Sequence, residues 1–204
     1  MNNLLIHNEE KDFIESLKQI VHSARKMAYA SVNYAQVASN WLIGRRIVEE
    51  EQAGEVRAKY GKHVIELASK ALTEEFGKGF SETNIRSFRK FYIEFQHLTI
   101  QQAVSAESII QIQQAVSAKL SWSHYERLMR VENLQARQWY EQEAKEQMWS
   151  YRTLDRNIST LYYERMLMSQ VKESVVQEMQ EKTKEFQQDK LEFIKNPAVL
   201  EFLG

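Results

Sequence analysis

The scarcity of helix-breaking residues constrains this sequence more than any other feature. Its 204 residues include one Pro, at position 197, and six Gly. Proline removes a backbone donor and glycine costs conformational entropy, so a chain with so few of either can form long uninterrupted helices. Ala, Leu, Glu, Gln, Lys, Arg and Met dominate the composition, and these residues lose least on entering a helix. Together these features predict an all-α fold.

The composition also limits the classes of function. Cys is absent, which excludes disulfides and thiolate zinc sites, and a reducing cytosol suits such a chain. The net charge of -1 exerts no global attraction on nucleic acid, so any such binding requires a local cationic patch. No basic region precedes the short apolar patch at residues 4–6, and no apolar run approaches the roughly 20 residues that a bilayer requires. We therefore expect a cytoplasmic protein that does not span a membrane.

The first part of the chain carries two apolar stripes of helical period. The spacing predicts one helix from Phe13 to Ala24 and a second from Ser31 to Gln52. Gly44 lies inside the second helix, where it costs about 1 kcal/mol relative to Ala. We expect this glycine to permit close packing against another helix.

A glycine turn connects the next two predicted helices. The third apolar stripe runs from Val64 to Phe76, and Gly77 and Gly79 form a sharp turn after it. Ser81 is then a natural N-cap for a fourth helix. The side chains expected on the buried side of that helix are Ile85, Phe88, Tyr92 and Phe95.

Residues 97–119 form a predicted variable linker. The sequence of residues 100–106 recurs at residues 112–118. Solenoid repeats have periods of roughly 20 to 50 residues and occur in at least about three copies, so one short copy indicates a duplicated linker.

Three polar residues are placed to cap further helices beyond this linker: Ser123, Asn133 and Ser150. The last of these helices carries an apolar stripe that reaches Tyr162. A charged and Gln-rich segment from Val171 to Lys195 then predicts a long projecting helix. The chain is thus divided into a multi-helix domain at residues 1–168 and a projecting helix with a tail at residues 169–204.

The sequence contains no recognisable catalytic or metal-binding pattern. The five His residues form no HExxH pair, and no nucleotide-binding glycine loop follows a strand. Glu143 and Lys145 match an ExK pattern, but we interpret them as an exposed helical ion pair, because nuclease carboxylates converge on Mg²⁺ from adjacent strands. We therefore predict no catalytic residues, no metal ligands and no cofactor.

The segment from Lys62 to Phe95 has the dimensions of a helix-turn-helix unit. The second helix of such a unit lies in the major groove with its N-terminal residues against the bases. Arg86 and Lys90 would meet DNA there, because Arg forks onto guanine or phosphate and Lys pairs with phosphate. The predicted contact residues are Lys78, Thr83, Asn84, Arg86, Ser87, Arg89 and Lys90. The alternative interpretation is an ordinary solvated helix face.

A second basic set lies on the fifth predicted helix. Its members are His124, Arg127 and Arg130. They would extend the contact surface if the fourth and fifth helices lie side by side, which the sequence alone does not establish.

Several short motifs follow one another in a recognisable order. They are Trp41-Leu42-Ile43-Gly44-Arg45-Arg46-Ile47, Tyr60-Gly61, Phe76-Gly77-Lys78-Gly79-Phe80-Ser81, Phe88-Arg89-Lys90-Phe91-Tyr92, Leu120-Ser121-Trp122-Ser123-His124-Tyr125, Arg137-Gln138-Trp139-Tyr140, Trp149-Ser150 and Leu161-Tyr162-Tyr163-Glu164-Arg165. Over residues 13–168 this pattern resembles the N-terminal domain of the YhcG family, in which a helical domain precedes a PD-(D/E)xK nuclease-like domain. The resemblance implies a winged-helix-like or helix-turn-helix role in DNA binding. It also implies that the catalytic carboxylates belong to a nuclease domain that this chain lacks.

The function favoured by the sequence is a non-catalytic module that binds and positions DNA for a bacterial PD-(D/E)xK nuclease. The alternative is a protein-interaction or dimerisation module without DNA contact, in which residues 171–203 pair with another chain. Both can hold, because helix-turn-helix proteins commonly bind as dimers. The expected partners are accordingly DNA and a second copy of the chain.

Overall fold

A computed structural model of the protein describes residues 2–53, 58–98, 120–169 and 171–186. Within these ranges the chain forms α-helices and two turns of 3-10 helix, at Lys78–Phe80 and at residues 184–186. The helices are α1 (Asn2–Ala53), α2 (Ala58–Phe76), α3 (Glu82–Glu94), α4 (Trp122–Leu128), α5 (Leu134–Glu146), α6 (Tyr151–Ser159), α7 (Tyr162–Met168) and α8 (Lys172–Thr183). The prediction of an all-α fold is confirmed. Most of the predicted linker and the predicted helix and tail beyond residue 186 lie outside the described residues.

Helix α1 is one continuous helix of 52 residues, where the spacing predicts two. The prediction of a break after Ala24 is wrong, because α1 contains no Gly or Pro before Gly44 and its backbone hydrogen bonds continue. The side chains of residues 10–25 are exposed, and full burial begins at Asn33. Only the second half of α1 therefore belongs to the core.

Helices α1 and α3 approach each other closely at Gly44. A Cβ atom added to Gly44 would lie 2.0 Å from the carbonyl oxygen of Phe88 in α3. One turn earlier, Trp41 donates its indole N–H to the carbonyl oxygen of Phe95 at 3.1 Å. The rings of Trp41 and Tyr92 also meet edge to face, with 4.9 Å between centroids. The predicted role of Gly44 is confirmed, and these contacts fix α3 against the buried half of α1.

An aromatic cluster holds the inner side of α3. Three of the residues predicted for that side are buried: Ile85, Phe88 and Phe95. Phe91 joins them, with its ring centroid 5.3 Å from that of Trp122 and 4.8 Å from that of Tyr125. Tyr92 is only half-buried. Aromatic pairs of this kind contribute about 0.5–1.5 kcal/mol each beyond their buried area, so α3 is firmly attached to α4.

Side-chain caps begin three helices where the sequence predicts them. Ser81 accepts a backbone N–H at 3.4 Å, Asn133 accepts two at 2.9 and 3.1 Å, and Ser150 accepts one at 3.1 Å. Helix α4 differs, because its cap is Ser121 and not the predicted Ser123. Each cap satisfies backbone donors that the first turn of a helix leaves unpaired.

A left-handed residue separates α6 from α7. Leu161 has a φ of 52° and is 57% exposed. The predicted single stripe through Leu161 to Tyr162 is therefore wrong. Tyr162 instead begins α7 and is 2% exposed, because the turn at Leu161 directs the chain back onto the core.

Helix α8 packs against the domain. Met179 and Thr183 of α8 are 4% and 1% exposed, and Arg165 of α7 donates to the carboxylate of Glu178 at 2.8 Å. The prediction of a projecting helix is wrong for this part of the chain, because the apolar line of the segment faces the other helices.

Candidate nucleic-acid interface

The outer face of α3 presents polar residues to solvent. Thr83, Arg86 and Lys90 are exposed, and Ser87 is half-buried beside them. The opposite side of α3 is held by α1 and by the aromatic cluster with α4. We call Thr83, Arg86, Ser87 and Lys90 the α3 face. It stands on a helix whose inner side is packed against the core, so the backbone positions of its residues are fixed.

The turn before α3 determines where this face begins. Gly77 has a φ of 90°, a left-handed conformation that favours glycine, and its N–H donates to the carbonyl oxygen of Thr73 at 3.0 Å. The side-chain amide of Asn84 donates to the carbonyl oxygen of Gly79 at 2.8 Å. Asn84 therefore holds the turn with one donor of its amide, and its contact with DNA stays a prediction.

The two cations of the α3 face have acidic neighbours on the same helix. Arg86 Nη2 lies 2.7 Å from Oε2 of Glu82, and these side chains are 45% and 47% exposed. Lys90 Nζ lies 3.6 Å from Oε1 of Glu94. The electrostatic potential of the α3 face is consequently less positive than the number of its cations suggests.

Lys90 also connects α3 to the end of α4. Its Nζ donates to the carbonyl oxygen of Met129 at 2.7 Å, and its side chain remains 53% exposed. Arg130, the next residue, is exposed. Helices α3 and α4 therefore lie side by side at this point, and Arg130 adjoins the α3 face.

Arg89 is directed towards α1. Its Nε donates to Oε2 of Glu51 at 2.7 Å, and the Glu51 side chain is only 17% exposed. This partly buried pair joins α3 to the last turn of α1. We assign Arg89 to the fold because its guanidinium has this structural partner.

His124 does not belong to a cationic surface. Its ring is 7% exposed, Nδ1 accepts the backbone N–H of Ser121 at 3.2 Å, and Nε2 lies 3.1 Å from the carbonyl oxygen of Trp149. These contacts place the proton of a neutral ring on Nε2. Burial lowers the pKa of His124 to about 4. The prediction that His124 contacts DNA is wrong, because the ring caps α4 inside the core.

Arg127 is engaged inside the protein as well. Its Nε donates to Oδ1 of Asp155 at 2.5 Å and its Nη2 to Oγ of Ser159 at 3.1 Å. The side chain is 15% exposed, so the pair joins α4 to α6. A DNA contact by Arg127 stays a prediction, and these two partners would compete with it. The predicted contact residues that keep an outward position are Lys78, Thr83, Arg86, Ser87, Lys90 and Arg130.

A second exposed surface lies on the first half of α1, which we call the α1 arm (residues 10–28). Its apolar residues include Phe13, Ile20 and Met27, which are 64%, 62% and 67% exposed. The sequence interpretation did not identify this surface. The sequence does indicate that the helix is continuous here, because no Gly or Pro lies between the arm and the buried half of α1.

Within the described residues, no group of three or more His, Asp or Glu side chains is placed to hold a metal ion. Nor is any helix in the described ranges long and apolar enough to cross a lipid bilayer.

Comparisons with known proteins identify relatives of this chain. The family model described as DUF1016 N-terminal domain matches residues 16–165. A protein of Escherichia coli (strain K12) named "Putative nuclease YhcG" is 40% identical over 206 aligned residues, which cover 93% of this chain and 54% of that protein. This chain therefore spans about half the length of the relative. No solved structure is significantly similar to it.

Proposed function

The chain belongs to the DUF1016 N-terminal domain family, and from this membership and the α3 face we propose that it binds DNA and positions it for a nuclease. The resemblance to the YhcG family inferred from the motifs is confirmed. The name of the E. coli relative assigns nuclease activity to a protein of which this chain covers about half. We place the catalytic residues in the other half, so that this chain alone does not cut DNA.

The orientation of α3 is the observation that supports the proposal. Its apolar side is held by the contact of Phe88 with Gly44 and by the buried hydrogen bond from Trp41. Arg86 then points away from the core without any rearrangement, and Lys90 remains 53% exposed while its Nζ donates to the carbonyl oxygen of Met129. A donor surface that is already in place loses little conformational entropy when a ligand binds.

The acidic neighbours on α3 do not prevent contact with phosphate. Glu82 and Arg86 form an exposed ion pair, a kind that contributes about 0–1 kcal/mol. A phosphate oxygen can replace the carboxylate at small cost. Each phosphate neutralised in this way releases counterions. The logarithm of the binding constant therefore falls by about 0.9 per neutralised phosphate for every tenfold increase in salt concentration.

The test is the double variant Arg86→Ala/Lys90→Ala. Its matched control is Arg45→Ala/Arg46→Ala on α1. There Arg46 forms an exposed pair with Glu50 at 2.6 Å, and Arg45 forms a partly buried pair with Glu49 at 2.7 Å. Both variants lose two positive charges from pairs of the same spacing. Thermal melts of both variants check that each one remains folded.

Gel shifts with a duplex of about 30 base pairs, between about 50 and 200 mM salt, distinguish the outcomes. We expect the Arg86/Lys90 variant to bind more weakly and its salt slope to fall by about 2, one unit for each lost contact. The control variant keeps the wild-type slope. Equal behaviour of the two variants, or binding by both as tight as that of the wild type, refutes the assignment of DNA binding to the α3 face.

An interaction role without DNA contact is the second candidate. The α1 arm favours it, because that surface is apolar and exposed. The sequence analysis placed this interaction in residues 171–203. The part of that segment in α8 packs against the domain instead. Self-association through residues 187–203, like a cytoplasmic location, stays a prediction.

A further inference from the structure

We propose that Glu82, the first residue of α3, determines which DNA sites the chain prefers, because its carboxylate selects cytosine at one position of the site. The inference rests on the function proposed above and extends it from duplex DNA in general to a preferred base pair. It depends on where Glu82 lies, on its pairing with Arg86 and on the hydrogen-bonding capacity of a carboxylate.

Glu82 lies on the same side of α3 as Arg86. The two residues are four positions apart, a spacing that places side chains one above the other on an α-helix. Their side chains are 47% and 45% exposed, whereas Ile85 and Phe88 are buried on the other side of the helix. In a helix-turn-helix complex, the N-terminal residues of the second helix approach the base edges. Glu82 therefore occupies a position from which a side chain can contact a base.

Contact of Arg86 with phosphate would leave the carboxylate of Glu82 without this partner. In the free protein, Nη2 of Arg86 lies 2.7 Å from Oε2 of Glu82. A phosphate oxygen that replaces the carboxylate at the guanidinium displaces this oxygen. An ionised carboxylate only accepts hydrogen bonds, and the phosphate backbone repels its charge. The bound DNA must therefore offer a donor near Glu82, or affinity is lost.

The four bases differ in what their major-groove edges offer a carboxylate. Guanine presents two acceptors, N7 and O6, and thymine presents the acceptor O4 and a methyl group. Adenine presents the donor N6 with the acceptor N7 beside it, whereas cytosine presents the donor N4 without an acceptor of its own. A carboxylate at this position therefore favours cytosine. It also penalises the other bases, and repulsion of the wrong partner contributes to specificity as much as attraction of the right one.

The other polar side chains of α3 do not replace Glu82 in this role. The two cations of the α3 face only donate hydrogen bonds, and its two hydroxyl groups both donate and accept, so they tolerate several bases. Glu94, the other carboxylate of α3, is 18% exposed and lies 2.8 Å from Nη1 of Arg137. Glu82 is thus the exposed acceptor among the outward side chains of this helix.

A carboxylate in the first turn of a helix also stabilises the helix through its dipole, which provides a matched control. Glu173 lies in the first turn of α8, and its side chain is exposed. Glu173→Gln therefore removes the same charge from the same part of a helix, away from the α3 face. Thermal melts of Glu82→Gln and Glu173→Gln check that both variants remain folded.

The test is selection of bound sequences from a pool of randomised duplexes, carried out with the whole chain and both variants. Glutamine keeps the size of glutamate, but its amide can pair with N6 and N7 of adenine. We expect the wild type and Glu173→Gln to enrich cytosine at one position, and Glu82→Gln to enrich adenine there. In gel shifts at a fixed salt concentration, replacing that C·G pair by T·A should weaken wild-type binding about tenfold. The same replacement should not weaken binding by Glu82→Gln.

Three results overturn the proposal. The wild type enriches no base, or Glu82→Gln still prefers cytosine, or Glu82→Gln binds every duplex more tightly by the same factor. The last result would show that Glu82 only repels phosphate. Each of them includes binding of DNA, so the function proposed for the α3 face would stand. A wild type that binds no duplex overturns both proposals.

Discussion

Gly44→Ala should destabilise the protein, although alanine is the better helix former. The added Cβ would lie 2.0 Å from the carbonyl oxygen of Phe88, and ordinary contacts begin at 3.4 Å. The Phe88 atom belongs to the backbone of α3, so the two helices must separate by about 1.4 Å, the difference between these distances. Overpacking of this severity costs about 3 kcal/mol, and the higher helix propensity offsets about 1 kcal/mol. We expect a net loss of about 2 kcal/mol in the free energy of unfolding.

Urea unfolding followed by tryptophan fluorescence measures this loss, since Trp41 lies one turn from Gly44 at the same contact. Gly79→Ala is the matched control, because a Cβ at Gly79 meets no atom within 4 Å. Its free energy of unfolding should change by no more than about 0.5 kcal/mol. If Gly44→Ala unfolds at the wild-type urea concentration or above it, the close approach of α1 and α3 is refuted.

Two further substitutions test local features. Burial lowers the pKa of His124 from 6.5 to about 4, so its contribution to stability is complete above pH 6.5 and declines as the pH falls towards 4. Between pH 7 and pH 5 the wild type should lose about 2 kcal/mol more than His124→Gln in urea titrations, and equal losses would contradict a buried neutral ring. Met148 has a φ of 51° and is 57% exposed, so Met148→Gly should raise the free energy of unfolding by about 1 kcal/mol; a lower melting temperature would contradict this.

Local signals were sufficient to predict several helix starts. Ser81, Asn133 and Ser150 cap their helices because a short polar side chain reaches backbone donors only two or three residues away. The close packing at Gly44 was predictable from a local signal as well. An interior glycine weakens a helix, so its presence indicates a packing contact that requires the missing side chain.

The same signals were insufficient where distant residues determine the structure. The sequence presents His124 and Arg127 as outward cations, but their partners Trp149 and Asp155 follow 25 and 28 residues later. Burial of these side chains depends on how α4 packs against later segments. Leu161 illustrates another case, because it adopts a left-handed conformation without the glycine that usually indicates one.

The α1 arm shows a third limit of sequence reasoning. Helical spacing identifies an apolar stripe, but it does not distinguish a stripe covered by the same chain from one left for another chain. The stripe that includes Phe13 therefore has the pattern of a core helix, although its side chains are exposed. Continuity of the helix was predictable from the absence of Gly and Pro before Gly44.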